Sequence, residues 1–134
     1  MSGTANIVVV ALLIAIGGLN VLPGVVLFAP GRAADLYGID LADDALSVVM
    51  RHRAALLALV GLALLYAAAE PSARWPAMVA AVASKLVFLG LYAGAAAPAL
   101  RKIAVADAAA LAGLAVAAAL MVFAGASAGA AKAS

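Results

Sequence analysis

An all-α integral membrane protein, a four-helix bundle threaded up and down, is the fold this sequence predicts, and three observations lead to it. Hydrophobic residues make up 69% of the 134 positions and charged residues only 10%, where soluble domains run at about 45–50% and about 25%. The apolar residues come in long runs with the charges pushed between them, which is how membrane spans read. The runs also lack the alternating polarity over about ten residues that a barrel strand carries, and unpaired backbone groups are too costly in lipid, so each run is expected to be a helix.

Four spans follow in order, at about 6–28, 48–69, 77–96 and 103–125, each near the ~20 residues needed to cross ~30 Å of hydrocarbon at ~1.5 Å per residue. The start, MSGTANIVVV, has no Lys or Arg ahead of an apolar run longer than a signal-peptide core, so it is expected to remain as a mature span. Pro30 and Gly31 should stop the first helix. A short interfacial helix over 32–37 is predicted next, broken by Gly38, with Leu36, Tyr37 and Ile39 dipping into the headgroup layer. Asp40 reads as the N-cap of the second long helix, starting near Leu41, with Asp43 and Asp44 in its first turn. EPSARWP is a tight turn whose Trp75 suits the interface, APALRK is a shorter one, and 126–134 reads as a low-complexity, flexible tail.

Arg32, Arg51, Arg53, Arg101 and Lys102 gather at the first and third connections, against Arg74 and Lys132 on the other side. The excess predicts that connections one and three are cytoplasmic and both termini extracytoplasmic. The 41 alanines, with Gly17, Gly18, Gly24, Gly61, Gly90, Gly94 and Gly113, let helix backbones approach closely, as membrane helices do when lipid is as apolar as leucine. Gly90 and Gly94 form a GxxxG pair, expected to pack within the bundle or, as the alternative, to form the seam of a homo-oligomer.

The stretches APGRAADLYGI, MRHRAALLALVGLALLYAA and ADAAALAGLA, over roughly residues 29–115, resemble a family of small, uncharacterised four-helix proteins of the bacterial inner membrane. The resemblance implies this architecture and no activity. Some of these relatives carry the label phosphopantetheine adenylyltransferase, but such a transferase is a soluble α/β enzyme with a His-x-Gly-His motif, and this chain has one histidine and no such motif.

Several function classes are excluded by composition. No cysteine is present, which removes disulfides and Cys-based metal sites, and a lone His52 is a poor metal ligand. No basic stripe outside the spans supports nucleic-acid binding, and no cofactor motif occurs.

The polar residues inside the spans carry the rest. Lys85 sits ~16 Å from Arg74 and ~24 Å from Arg101 along its helix, too deep for a stem of about 6 Å to snorkel to either surface. Met78, Ala81, Lys85, Phe88 and Tyr92 share one helical stripe. Arg51, His52 and Arg53 flank a second span that is short for a bilayer, with Arg51 in register with Ala54, Ala58 and Gly61. Asp107 lies about one turn inside the fourth span, and Asn20 stands beside Pro23, whose missing N–H frees the carbonyl of Leu19.

Up-and-down threading puts Asn20, Arg51, His52, Tyr92 and Asp107 in one membrane half, with Lys85 as the floor of an amphiphilic cavity. The candidate ligand is a membrane lipid or lipophilic small molecule with an anionic headgroup. Two other readings stand beside it: an isomerase-like membrane enzyme using Lys85, His52 and Asp107, and an accessory subunit in which the charges only set helix register. Lys85 and Asp107 are expected either to touch directly or to be bridged by water or a headgroup.

Overall fold

The computed structural model describes residues 3–38, 43–95 and 97–133, and among them the secondary structure is entirely helical. Helix α1 (Gly3–Val21) passes through a 3-10 turn at Leu22–Gly24 into the short α2 (Val25–Phe28). Pro23 offers no N–H to the preceding turn, so the chain tightens there instead of running on as α-helix. Helix α3 (Arg32–Tyr37) then closes on Gly38, whose φ of 65° is left-handed and whose N–H donates to the carbonyl of Ala34 at 2.9 Å.

Three long helices complete the chain: α4 (Asp44–Ala69), α5 (Arg74–Gly94) and α6 (Arg101–Ala133), the last two entered through 3-10 turns at Pro71–Ala73 and Pro98–Leu100. The stretches Gly3–Phe28, Asp44–Ala69, Pro71–Gly94 and Pro98–Ala126 are long and apolar enough to cross a membrane, the architecture of a multi-pass membrane protein. The expected spans 6–28, 48–69 and 103–125 lie within these stretches, and the third, 77–96, overlaps its stretch as far as Gly94.

Two expected boundaries are corrected. The N-cap of α4 is Asp43, whose carboxylate accepts from the Leu46 N–H at 2.7 Å; Asp40 and Leu41 lie outside the described residues, as does Ile39. The segment expected to be a flexible tail is instead the end of α6, which continues to Ala133. Alanine's helix propensity carries the backbone past Gly125 and Gly129, each costing only about 1 kcal/mol in a helix interior.

The bundle is closed in chain order. Helix α1 packs on α4, α4 on α5, α5 on α6, and α6 back on α1. Glycine sets the tightest of these contacts. A Cβ built on Gly61 would sit 2.6 Å from the backbone oxygen of Gly17, and one on Gly17 would sit 2.9 Å from the oxygen of Gly61. The α1–α4 crossing is thus backbone against backbone, the close approach small residues permit. Gly24 and Gly113 instead receive side chains: a Cβ built on them would sit 3.1 Å from the Cβ of Ala58 and 3.0 Å from the Cδ1 of Ile16.

Around these crossings Val9, Leu13, Ile16, Leu64, Met78 and Leu114 fill the main core, and a second cluster of Val26, Ala33, Met50 and Ala54 seats α3 on α2 and α4. Gly90 and Gly94 behave differently: both are exposed, with no atom within 4 Å of a built Cβ, so packing inside the bundle does not use them.

At the α4–α5 turn the Glu70 carboxylate accepts from both the N–H and the hydroxyl of Ser72, at 3.1 and 2.7 Å. These bonds, the hydroxyl foremost, hold its pKa below the ordinary carboxylate value. A depressed pKa stabilises the turn at pH values above the unfolded-state pKa, and that stabilisation fades as pH falls through the folded-state one. Ser72→Ala is expected to raise the Glu70 titration midpoint toward its ordinary value by NMR. Gly61→Ala is expected to lower stability in detergent by about 1–3 kcal/mol, overpacking outweighing the propensity gain. Gly90→Ala, facing open space, should be neutral or stabilising by up to about 1 kcal/mol in the same thermal unfolding measurement.

Candidate functional site

Lys85 is the centre of the polar interior. Met78, Ala81 and Lys85 lie on the buried stripe of α5, and only 2% of the Lys85 surface is exposed. Its Nζ donates to Asp107 Oδ1 at 2.6 Å and to Asn20 Oδ1 at 3.1 Å. Asn20 in turn donates through Nδ2 to the carbonyl of Ile16 at 2.7 Å, which fixes the amide with its oxygen toward the ammonium. The contact with Asn20 crosses the bundle, since α5 and α1 are not neighbours in the ring of helices. One lysine therefore ties α1, α5 and α6 together.

Of the two arrangements expected for Lys85 and Asp107, the direct one is observed. Both face inward on adjacent helices, and their side chains close the axial offset between them. Each charge needs the other: an isolated ion in so apolar a setting is costly, and the pair is tolerated because it is in contact and further hydrogen-bonded. The ammonium has three donors, and the two oxygens take two of them. The third has no acceptor among the described residues.

A cleft of about 240 Å³ opens beside this triad. Its polar lining is Asn20, Arg53, Lys85, Lys102 and Asp107, three cations with one carboxylate and one amide. The apolar lining comes from Leu19 near the end of α1, Leu22 and Pro23 of the 3-10 turn after it, Leu36 of α3, Leu57 of α4, and Ile103 and Ala106 of α6. The proline turn thus helps shape the cavity as well as break the helix.

Three of the six residues expected at the site line this cleft: Lys85, Asp107 and Asn20. The other three do not. Tyr92 is half-buried and stacks on Phe88, ring centroids 6.3 Å apart, beyond the turn at which the α5 stripe leaves the core. Arg51 is exposed and its Nε donates to the carbonyl of Leu27 at 3.0 Å, satisfying an orphan acceptor at the end of α2. His52 is exposed and does not share the cleft with Asp107, so the acid–base pairing of the enzyme reading is not assembled here.

Arg53 and Lys102 are the charged lining residues missing from the expected set. Successive residues on a helix point ~100° apart, so Arg51 and Arg53 face nearly opposite ways, and Arg53 is the one in register with Leu57 and Leu64. That register was a readable signal. The Arg53 guanidinium also lies 5.3 Å over the Phe88 ring, a cation–π contact that keeps its charge near the cleft. Lys102 had no comparable signal, because its role depends on how the start of α6 meets the end of α1.

At the opposite end of the bundle Arg74, expected as an interfacial base, is buried instead. Its Nε donates to the Ala67 carbonyl at 3.3 Å and its NH1 to Asn6 Oδ1 at 2.9 Å, joining α4, α5 and α1. Among the described residues no cluster of His, Asp or Glu could hold a metal ion.

A double-mutant cycle measures the central pair. Lys85→Met or Asp107→Asn alone is expected to cost about 3–5 kcal/mol in detergent unfolding, because each leaves a buried charge unpaired, whereas the double variant should recover part of that loss. Additive losses would mean that the two side chains are not coupled.

No protein-family model matches the chain, and neither a curated protein nor a solved structure matches it.

Proposed function

We propose that this multi-pass membrane protein binds an amphiphile with an anionic headgroup in the cleft beside Lys85. The observation that carries the reading is the lining itself: Arg53, Lys85 and Lys102 converge on an otherwise apolar wall, with only Asp107 of opposite sign. Charge-assisted hydrogen bonds from such cations to phosphate or carboxylate oxygens are the strong kind. The third N–H of Lys85 would donate into the bound headgroup while Asp107 and Asn20 hold the ammonium in place.

The membrane we infer is the bacterial inner membrane, from the likeness of the loop and helix motifs to the small four-helix family. Connections one and three would face the cytoplasm. The burial of Arg74 supports that orientation, because it withdraws a cation from the opposite surface while Arg32, Arg51, Arg101 and Lys102 stay exposed. A second copy of the chain, packed across the outward Gly90 and Gly94, is the protein partner these glycines would suit.

A second reading is favoured by the triad: by tying three helices together, Lys85 would serve only to set the register of an accessory subunit. Lipids retained through purification decide between the two, read by native mass spectrometry of the wild type and of Lys102→Gln. That substitution is at an exposed position and leaves the triad intact. The binding reading expects anionic lipid retained over phosphatidylcholine in the wild type and reduced on the order of tenfold in the variant, the effect of one charged hydrogen bond. Indistinguishable lipid profiles would favour the purely structural role.

A further inference from the structure

A vestibule that filled from the aqueous side would be expected to have a polar mouth. Here the exposed rim is mostly apolar: Leu19, Leu22 and Leu36 are 45%, 63% and 43% exposed while lining the cleft, and Lys102 is the exposed cation beside them. Leu19 and Leu22 also belong to the membrane-spanning stretch Gly3–Phe28. At ~1.5 Å per residue Leu22 stands about 9 Å, and Leu19 about 13 Å, inside the end of that stretch.

The packing of α1 against α6 explains where the gap lies. Gly113 receives Ile16 and Leu12 closely, so the two helices are sealed at that level. Toward the 3-10 turn after α1 and the first turns of α6 the lining passes to Leu19, Leu22, Ile103 and Ala106, and the interface opens into the cleft. The cavity of about 240 Å³ also falls below the ~300–1,000 Å³ of sites that enclose a whole small molecule. It has room for a headgroup and not for a lipid tail.

We infer that the cleft receives its ligand sideways from the bilayer, the anionic head of a membrane lipid reaching Lys85 and Lys102 while its hydrocarbon tail leaves between α1 and α6 past Leu19 and Leu22. The inference rests on the binding reading above and adds the route and the source: a lipid already in the leaflet, rather than a water-soluble anion. Leucine at the rim then has a physical role, since a tail crossing a polar mouth would lose its apolar surroundings. Leu22 and Pro23 of the 3-10 turn form part of that rim.

A tryptophan reporter tests this. Trp75 is the sole native tryptophan, so Leu22→Trp would be made in a Trp75→Phe background, with Leu59→Trp, on the outward face of α4 and 62% exposed, as the position that senses only bulk lipid. Both proteins would be reconstituted in phosphatidylcholine vesicles with a rising fraction of phosphatidylglycerol brominated on its acyl chains. Lateral access expects the tryptophan at 22 to be quenched at a several-fold lower brominated fraction than the one at 59. Millimolar inorganic phosphate should not reverse the difference, and Lys102→Gln should shrink it.

Equal quenching at the two positions, or reversal by inorganic phosphate, would overturn lateral access. Native mass spectrometry of the same reporter proteins separates the two levels. Anionic lipid retained without excess quenching at 22 sinks the lateral route alone, and no retention together with no excess sinks the binding reading as well.

Discussion

A lysine in the middle of an apolar helix has to be neutralised from within the protein, and the arrangement of this bundle follows from how Lys85 meets that requirement. Its ammonium reaches Asp107 on one neighbour and Asn20 across the ring. Both contacts need α1, α5 and α6 at one rotation and one height. Nonpolar contacts among Ala, Leu and Val discriminate weakly between registers, because one small apolar side chain replaces another at little cost, whereas a one-residue slip would strand a charge. The same residue that fixes the register also borders the cleft.

The second constraint is steric and lies on the other side of α1. Gly17 and Gly61 bring two backbones to within reach of each other, and any side chain there would push α1 off α4. Six residues after Gly17, Pro23 lies in the 3-10 turn that ends the α-helix geometry. Helix α1 therefore packs closely on α4 at Gly17 and passes into 3-10 geometry at Leu22–Gly24, where Leu22 and Pro23 line the cleft.

Charge is distributed unevenly about this frame. Arg74 at one end is committed to Asn6 and the Ala67 carbonyl, and Arg51 at the other closes an orphan carbonyl of α2. Each is a basic side chain working as a helix staple. Lys85, Lys102 and Arg53 are the cations that border a cavity. The distinction matters for reading membrane proteins generally, since counting basic residues per loop treats Arg51, Arg53, Arg74 and Lys102 alike.

The helices, their order and most of their ends were legible in the chain. Apolar runs of span length, Pro and Gly stops, and the short helix ahead of Gly38 depend on local chemistry, which a sequence displays directly. The N-cap at Asp43 and the extension of α6 to Ala133 were missed because neighbouring aspartates compete for one cap and an alanine-rich end can be coil or helix.

Sequence by itself therefore determined that the protein is four long apolar helices, with Asp107 and Asn20 in one half of the bundle and Lys85 at its floor. Only tertiary structure decided that the three side chains touch, that Arg53 and Lys102 rather than Arg51, His52 and Tyr92 border the cleft, and that Gly90 and Gly94 face outward. The reason is rotational. Spacing along a helix states which residues share a face, but which face meets a neighbour depends on where the helices cross, and here that depends on two glycines 44 positions apart in the chain, Gly17 and Gly61.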